Sequence, residues 1–185
     1  MIEERIKSAD EKELLYRSLK GEKEAWGEIV SRYKDAVYGV NLSILNDRAE
    51  AEDATQETFI KAWDNLDKYD MDRKFSTWLF AIGSNTSKNI IRKRDRWSFI
   101  KKLPMMCGSS DPQREIKKEE RAENIRNAVF NLNPKYRAPI IMRFWGEQTY
   151  EDISEILDIP EGTVKTRLHR GKKELKSLCR EEGVG

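Results

Sequence analysis

The sequence predicts an all-α protein made of two small helical domains joined by a flexible linker. Apolar residues recur at helical spacing, and alternating apolar and polar runs are nearly absent. Gly and Pro are scarce inside the periodic stretches, while the helix formers Glu, Lys, Arg, Leu and Ala are abundant. With 185 residues, of which 37% are charged and 38% apolar, the chain is long enough for two such domains.

The first domain is predicted over residues 12–96 as a series of helices. An apolar stripe that begins at Leu14 is broken at Gly21, and Asn46-Asp47 marks a turn. A helix is expected from Asp53 to Leu66, followed by a polar loop. The last helix of the domain is expected to be capped by Ser76 or Thr77 and to carry basic residues toward its C-terminus.

Residues 97–114 are predicted to be the linker, because Pro104, Gly108-Ser109-Ser110 and Asp111-Pro112 interrupt the helical pattern. The second domain is predicted over residues 115–182. It begins with a charged helix from Glu115 to Phe130. Asn133-Pro134 starts a further helix, Tyr136 to Trp145, which leads into the most informative segment of the chain.

That segment, residues 150–171, has the layout of a helix-turn-helix DNA reader. Ile153, Ile156 and Leu157 form one buried stripe on a short helix. In the turn, Asp158 can adopt the left-handed conformation at some cost, and a second helix is expected to begin near Pro160. A two-helix hairpin in an ordinary core remains the alternative for this segment alone. The residues that the second helix would present to DNA are Thr163, Lys165, Thr166, Arg167, His169, Arg170 and Lys173.

The small net charge of +2 conceals two blocks of opposite sign. Between Asp47 and Glu57 there are five acids and one Arg, whereas between Lys88 and Lys102 there are seven bases and one Asp. A polyanion would bind the second block and a basic protein the first.

The sequence lacks the features that are typical of enzymes, metal sites and membrane spans. Cys107 and Cys179 have no companions at metal-ligand spacing, His169 is the single histidine, and no phosphate-binding loop or zinc-protease motif occurs. We therefore expect no enzyme activity, no metal and no cofactor. The N-terminus is charged and no apolar run approaches the roughly 18 residues of a bilayer span, so we expect a cytoplasmic protein without stable membrane insertion.

Two motifs in the right order carry a resemblance that covers nearly the whole chain. The first is DATQETFIKAW at residues 53–63 followed by KFSTWLFAIGSN at 74–85, and the second runs from LNPKYR at 132–137 to GTVKTRLHR at 162–170. They are similar to regions 2 and 4 of bacterial sigma factors of the extracytoplasmic-function group, the promoter-specificity subunits of RNA polymerase. The resemblance implies three partners, namely bacterial core RNA polymerase, promoter DNA and an anti-sigma factor.

The resemblance also implies roles for individual residues. Asp53, Gln56 and Glu57 would dock on the polymerase, and the helix-turn-helix residues named above would read the minus-35 element. Strand opening at the minus-10 element would involve Tyr69, Asp70, Lys74, Phe75, Ser76, Asn85, Lys88, Arg92, Lys93 and Arg94. The repeat of Trp63 and Trp78 with other apolar positions favours core packing for both.

The main alternative is a free-standing helix-turn-helix transcriptional regulator whose first domain senses a signal or dimerises. It would bind DNA usefully without polymerase, usually at a twofold site.

Overall fold

A computed structural model describes residues 2–100 and 127–181, and side chains within 10–94 and 127–179. All the regular structure in these ranges is helical, which confirms the predicted fold class. The helices are α1 (Ile2–Leu19), α2 (Lys23–Leu45), α3 (Arg48–Asp64), α4 (Phe75–Ile100), α5 (residues 127–131), α6 (Pro134–Phe144), α7 (Tyr150–Leu157) and α8 (Glu161–Glu181), with a 3₁₀ turn at Leu66–Lys68.

The predicted breaks between the first helices are confirmed. Gly21 has a φ of 88°, and Asn46 ends α2 in the left-handed conformation with a φ of 53°. The side chain of Asp47 accepts a hydrogen bond from the backbone N–H of Glu50 at 2.9 Å. Because Asp47 caps the helix, α3 begins at Arg48, earlier than the predicted start at Asp53.

The expected cap of α4 is wrong. The helix begins at Phe75, so Ser76 and Thr77 lie inside it and do not cap it. The helix continues to Ile100, since no Gly or Pro interrupts the chain between Gly83 and Pro104. The remainder of the expected linker and most of the helix expected from Glu115 to Phe130 lie outside the described residues.

The C-terminal helices form the predicted helix-turn-helix. Thr149 and Asp152 make a reciprocal capping box at the start of α7. Asp158 ends α7 in the left-handed conformation with a φ of 59°, as the turn requires. Ile153 and Ile156 are buried and Leu157 is half-buried against the same core, so the predicted stripe is confirmed.

The two groups of helices, α1–α4 and α5–α8, pack against each other along α2 and α6 and along α4 and α7. Their apolar residues join in one buried core. The approach of α2 to α6 is close at Gly39, where a Cβ atom would overlap with the side chain of Ile141. In this packing the start of α4 contacts the turn that connects α6 to α7.

Candidate nucleic-acid interface

Helix α8 divides into a buried face and an exposed cationic face. Val164, Leu168 and Gly171 pack toward α6 and α7, and a Cβ atom on Gly171 would approach Ile140 Cγ1 to 2.9 Å. The predicted DNA-reading residues occupy the remaining surface. Lys165, Thr166, His169, Arg170 and Lys173 are exposed, while Thr163 and Arg167 are half-buried.

Some of the α8 side chains already have partners within the domain. The Nζ atom of Lys165 lies 3.5 Å from a carboxylate oxygen of Glu161 and 5.9 Å from the ring centroid of Tyr150. The hydroxyl of Thr166 donates to the carbonyl of Gly162 at 2.9 Å. These contacts orient the start of α8. Arg170 is exposed farther along the helix, and a guanidinium can donate to two acceptors on guanine.

Two aromatic residues predicted near the minus-10 element are buried. Phe75 is 1% exposed, with its ring centroid 5.4 Å from that of Tyr69 and 5.6 Å from that of Tyr33. The hydroxyl of Tyr69 donates to the carbonyl of Arg73 at 2.5 Å, and burial raises the pKa of Tyr69 to about 12. In this arrangement neither ring presents a free face on which a base could stack.

Trp78 and Trp63 extend this aromatic packing. The ring centroid of Trp78 is 5.7 Å from that of Phe75, and the centroid of Trp63 is 5.4 Å from that of Trp26. Both tryptophans are half-buried. Their packing agrees with the predicted role of Trp63 and Trp78 in the core.

Three other residues predicted for the minus-10 element bond to the C-terminal helices. Lys74 and Ser76 donate to the carbonyls of Glu147 and Gly146 at 2.9 and 3.0 Å. Lys88 donates to the carbonyl of Ile156 at 3.2 Å. Sequence reasoning did not anticipate these contacts, which join positions about 70 residues apart.

The rest of the predicted minus-10 set lies at the surface. Asp70 accepts from the backbone N–H of Asp72 at 3.0 Å and lies 3.6 Å from Nε of Arg73, so it orders the loop before α4. The other members are Asn85, Arg92, Lys93 and Arg94, all exposed along α4. Arg94 lies 3.4 Å from Glu50, which links the cationic end of α4 to the acidic start of α3.

The predicted polymerase-docking residues Asp53, Gln56 and Glu57 are exposed on one face of α3. The Glu57 carboxylate lies 2.6 Å from Nζ of Lys61, so its charge is partly compensated. The same face carries Ile60, which is 60% exposed. Ile60 follows Asp53 by seven residues, a spacing that places both on the same face of a helix. Sequence reasoning could therefore have identified this exposed apolar residue but missed it.

Within residues 10–94 and 127–179, no three His, Cys, Asp or Glu side chains converge as metal ligands would. The thiol of Cys179 is half-exposed, and Cys107 lies outside the described residues. None of the described helices is both long and apolar enough to cross a membrane.

Family models match both halves of the chain: Sigma-70 region 2 over residues 29–96 and Sigma-70 region 4 over residues 122–175. Across 98% of each chain, the sequence is 35% identical to the ECF RNA polymerase sigma factor SigW of Bacillus subtilis. It is 28% identical to the RNA polymerase sigma-H factor of Pseudomonas aeruginosa, over 92% of this chain and 96% of that one.

The fold is also shared with solved structures. The sigma factor RpoE, in a complex with the anti-sigma factor NepR from Bartonella quintana, superposes with a TM-score of 0.60 over 85% of this chain and 98% of that one, at 24% identity. The chain therefore belongs to the ECF group of RNA polymerase sigma factors.

Proposed function

We propose that this chain binds bacterial core RNA polymerase, recognises promoter DNA at two elements and helps to open the strands for transcription initiation. The exposed cationic face of α8, opposite its buried Val164 and Leu168, carries the proposal. A helix with this division can enter the major groove while its apolar face stays in the domain core. Family membership supports the same assignment.

Each surface has a separate task in this proposal. The α8 residues read the minus-35 element, and Arg170 is the best placed for a two-acceptor contact with guanine. The loop before α4 and the basic residues along α4 hold the opened minus-10 strand. Removing a base from the stack costs a few kcal/mol, which contacts to phosphates and bases must offset.

The exposed face of α3 docks on the polymerase through Asp53, Gln56 and Glu57. Carboxylates on this face can accept charge-assisted hydrogen bonds from Lys or Arg of a partner. We further propose that the chain is a non-catalytic, cytoplasmic subunit controlled by an anti-sigma factor. The complex of RpoE with NepR supports control of this kind in a protein with the same fold.

The test is run-off transcription from a promoter library, at a stated moderate salt concentration, with and without core polymerase. We expect transcripts from a shared two-element motif only when both proteins are present. A chain that binds DNA tightly alone and never redirects the polymerase would instead be a free-standing regulator.

The role of α8 is tested by Arg170→Ala on a selected promoter. Loss of one good base contact is expected to weaken binding by the holoenzyme by about 1–3 kcal/mol and to relax selectivity at one base pair. Lys34→Ala is the matched control, because it removes one positive charge from an exposed position on α2. Equal losses in the two variants would indicate a general effect of charge and would contradict base reading by Arg170.

A further inference from the structure

A cavity lies between the end of α2 and the start of α6, and residues of α4, α7 and α8 complete its lining. Its volume is about 490 Å³, within the range of roughly 300–1,000 Å³ that is usual for small-molecule sites. The cavity is therefore large enough for an organic ligand as well as for a single ion.

Three cationic side chains line the cavity, whereas none of the described residues that line it carries a carboxylate. Lys88 comes from α4, Lys135 from α6 and Arg167 from α8. Lys88 and Arg167 are half-buried, so water screens their charges less than it would at an open surface. Like charges that converge in this way raise the local concentration of anions. The lining therefore favours a ligand with two or more negative charges.

The three cations retain donors for such a ligand. Arg167 makes no hydrogen bond or ion pair within the described part of the chain. Lys88 uses one of its three N–H groups for the carbonyl of Ile156, at 3.2 Å. The Nζ atom of Lys135 lies 4.9 Å from the ring centroid of Tyr136, a contact that leaves its N–H groups available. One guanidinium and two ammonium groups can together bind the oxygens of adjacent phosphates.

The rest of the lining suits a planar organic group. It includes four apolar side chains and two amides, namely Ile44, Ala138, Pro139, Leu157, Asn46 and Asn133. Apolar groups can cover the face of an aromatic ring, and amides can both donate and accept at its edge. A single phosphate would leave this part of the cavity unfilled, whereas phosphates joined to a base match both parts.

We propose that this cavity binds a small nucleotide with at least two phosphates. The phosphates lie on Lys88, Lys135 and Arg167, and the base lies against the apolar wall that includes Ile44. This inference goes beyond the proposed function, because it concerns the free chain and a ligand other than promoter DNA. Lys88 and Arg167 also belong to the proposed DNA-binding sets. Lys135 has no other assigned role, so its substitution is the most direct test.

Promoter DNA is the other source of phosphates. Lys135 and Arg167 also line a neighbouring cavity of about 340 Å³, together with Arg170 of the exposed face of α8. Ile44 and the two amides do not line that second cavity. Bases in a duplex are paired and stacked, so a backbone phosphate brings no free base to the apolar wall. The mixed lining of the larger cavity therefore favours a free nucleotide over DNA.

The site is tested by isothermal titration calorimetry of the free, full-length chain in a buffer without divalent cations. The probes are ADP, GDP, pyrophosphate and adenosine. We expect ADP or GDP to bind more tightly than pyrophosphate, and adenosine to bind least. Lys135→Ala removes one charge-assisted contact and should weaken nucleotide binding about tenfold. Lys34→Ala is the control, because it removes one charge from an exposed position that does not line the cavity.

Asn133→Asp adds a carboxylate to the cavity without changing the size of the side chain. The Asn133 oxygen caps α6 by accepting from the backbone N–H of Lys135, and Asp caps a helix equally well. The new carboxylate would compete with a phosphate for the cations, so nucleotide binding should weaken by about tenfold or more. Asn89→Asp is the matched control on the exposed surface of α4 and should bind ADP and GDP as the wild type does.

Ile44→Ala tests the position of the base. It removes apolar contacts from the half-buried wall and leaves the three cations in place. Nucleotide binding should therefore weaken about fivefold while pyrophosphate binding stays unchanged. If neither ADP nor GDP binds more tightly than pyrophosphate, the ligand is not a nucleotide and the proposal fails.

Two further outcomes would overturn the site. Equal losses in Lys135→Ala and Lys34→Ala, or in Asn133→Asp and Asn89→Asp, would indicate general attraction of an anion to a charged surface. The promoter would be the source of the phosphates if Lys135→Ala left nucleotide binding unchanged and reduced the salt slope of promoter binding by the holoenzyme by about 1.

Failure of this site is distinguishable from failure of the proposed function. Nucleotide binding is measured on the free chain without polymerase or DNA, whereas run-off transcription tests the proposed function. Selective nucleotide binding by a chain that never directs transcription would reject only the proposed function. Transcription from a shared motif by a chain that binds neither ADP nor GDP would reject only the nucleotide site.

Discussion

Replacing Phe75 distinguishes a core role from a direct role in DNA binding. Burial of a Phe side chain is worth about 1.5–3 kcal/mol, and truncation also leaves a cavity. Phe75 is 1% exposed and contacts the rings of Tyr33, Tyr69, Trp26 and Trp78. We therefore expect Phe75→Ala to lower the free energy of unfolding by about 4 kcal/mol. Phe75→Leu fills much of the space and should cost about 1–2 kcal/mol.

Urea unfolding followed by circular dichroism and tryptophan fluorescence measures both losses. Trp26 and Trp78 lie beside the substituted ring, so their emission should change together with the helical signal. If Phe75→Ala does not fold, the free energy of unfolding of Phe75→Leu can still be compared with that of the wild type. A loss below about 1 kcal/mol for Phe75→Ala, together with weaker DNA binding, would show that the ring contacts DNA and does not stabilise the core.

Three further predictions concern other parts of the chain. Ile60→Ala should weaken core polymerase binding about tenfold, measured by competition, because burial of an exposed Ile is worth about 1.5–3 kcal/mol; Leu19→Ala, at another exposed apolar position, should have no effect. Thr149→Ala should lower the free energy of unfolding by about 1 kcal/mol in urea, because it removes the α7 cap; unchanged stability would contradict this role. The pKa of Tyr69 is raised from 10.0 to about 12, so the contribution of its protonated hydroxyl to the free energy of unfolding is complete below pH 10 and is lost as the pH rises toward 12. Tyr69→Phe should therefore make the fall in the free energy of unfolding between pH 10 and 12 shallower, and an unchanged pH dependence would contradict this contribution.

Local features of the sequence were sufficient for much of the helical architecture. Asn46 and Asp47 mark a helix end and a helix start because one tolerates a left-handed backbone and the other accepts from a free N–H. The spacing of Val164 and Leu168 placed the cationic residues of α8 on the exposed face. Helix caps and apolar spacing depend on residues within about one helical turn of each other, so they can be recognised in the sequence.

The accessibility of the residues predicted for the minus-10 element depended on tertiary structure. Phe75 lies in a polar-looking segment but is buried by rings from α2, the preceding loop and α4. Ser76 resembled a helix cap, yet its hydrogen-bond partners are Gly146 and Gln148, in the turn between α6 and α7. Helical periodicity shows which face is apolar but does not identify the surface that will cover it. The helical class, the apolar faces and the resemblance to the family follow from local sequence patterns, whereas the contacts of Ser76 and Lys88 with residues about 70 positions away depend on how the two groups of helices pack.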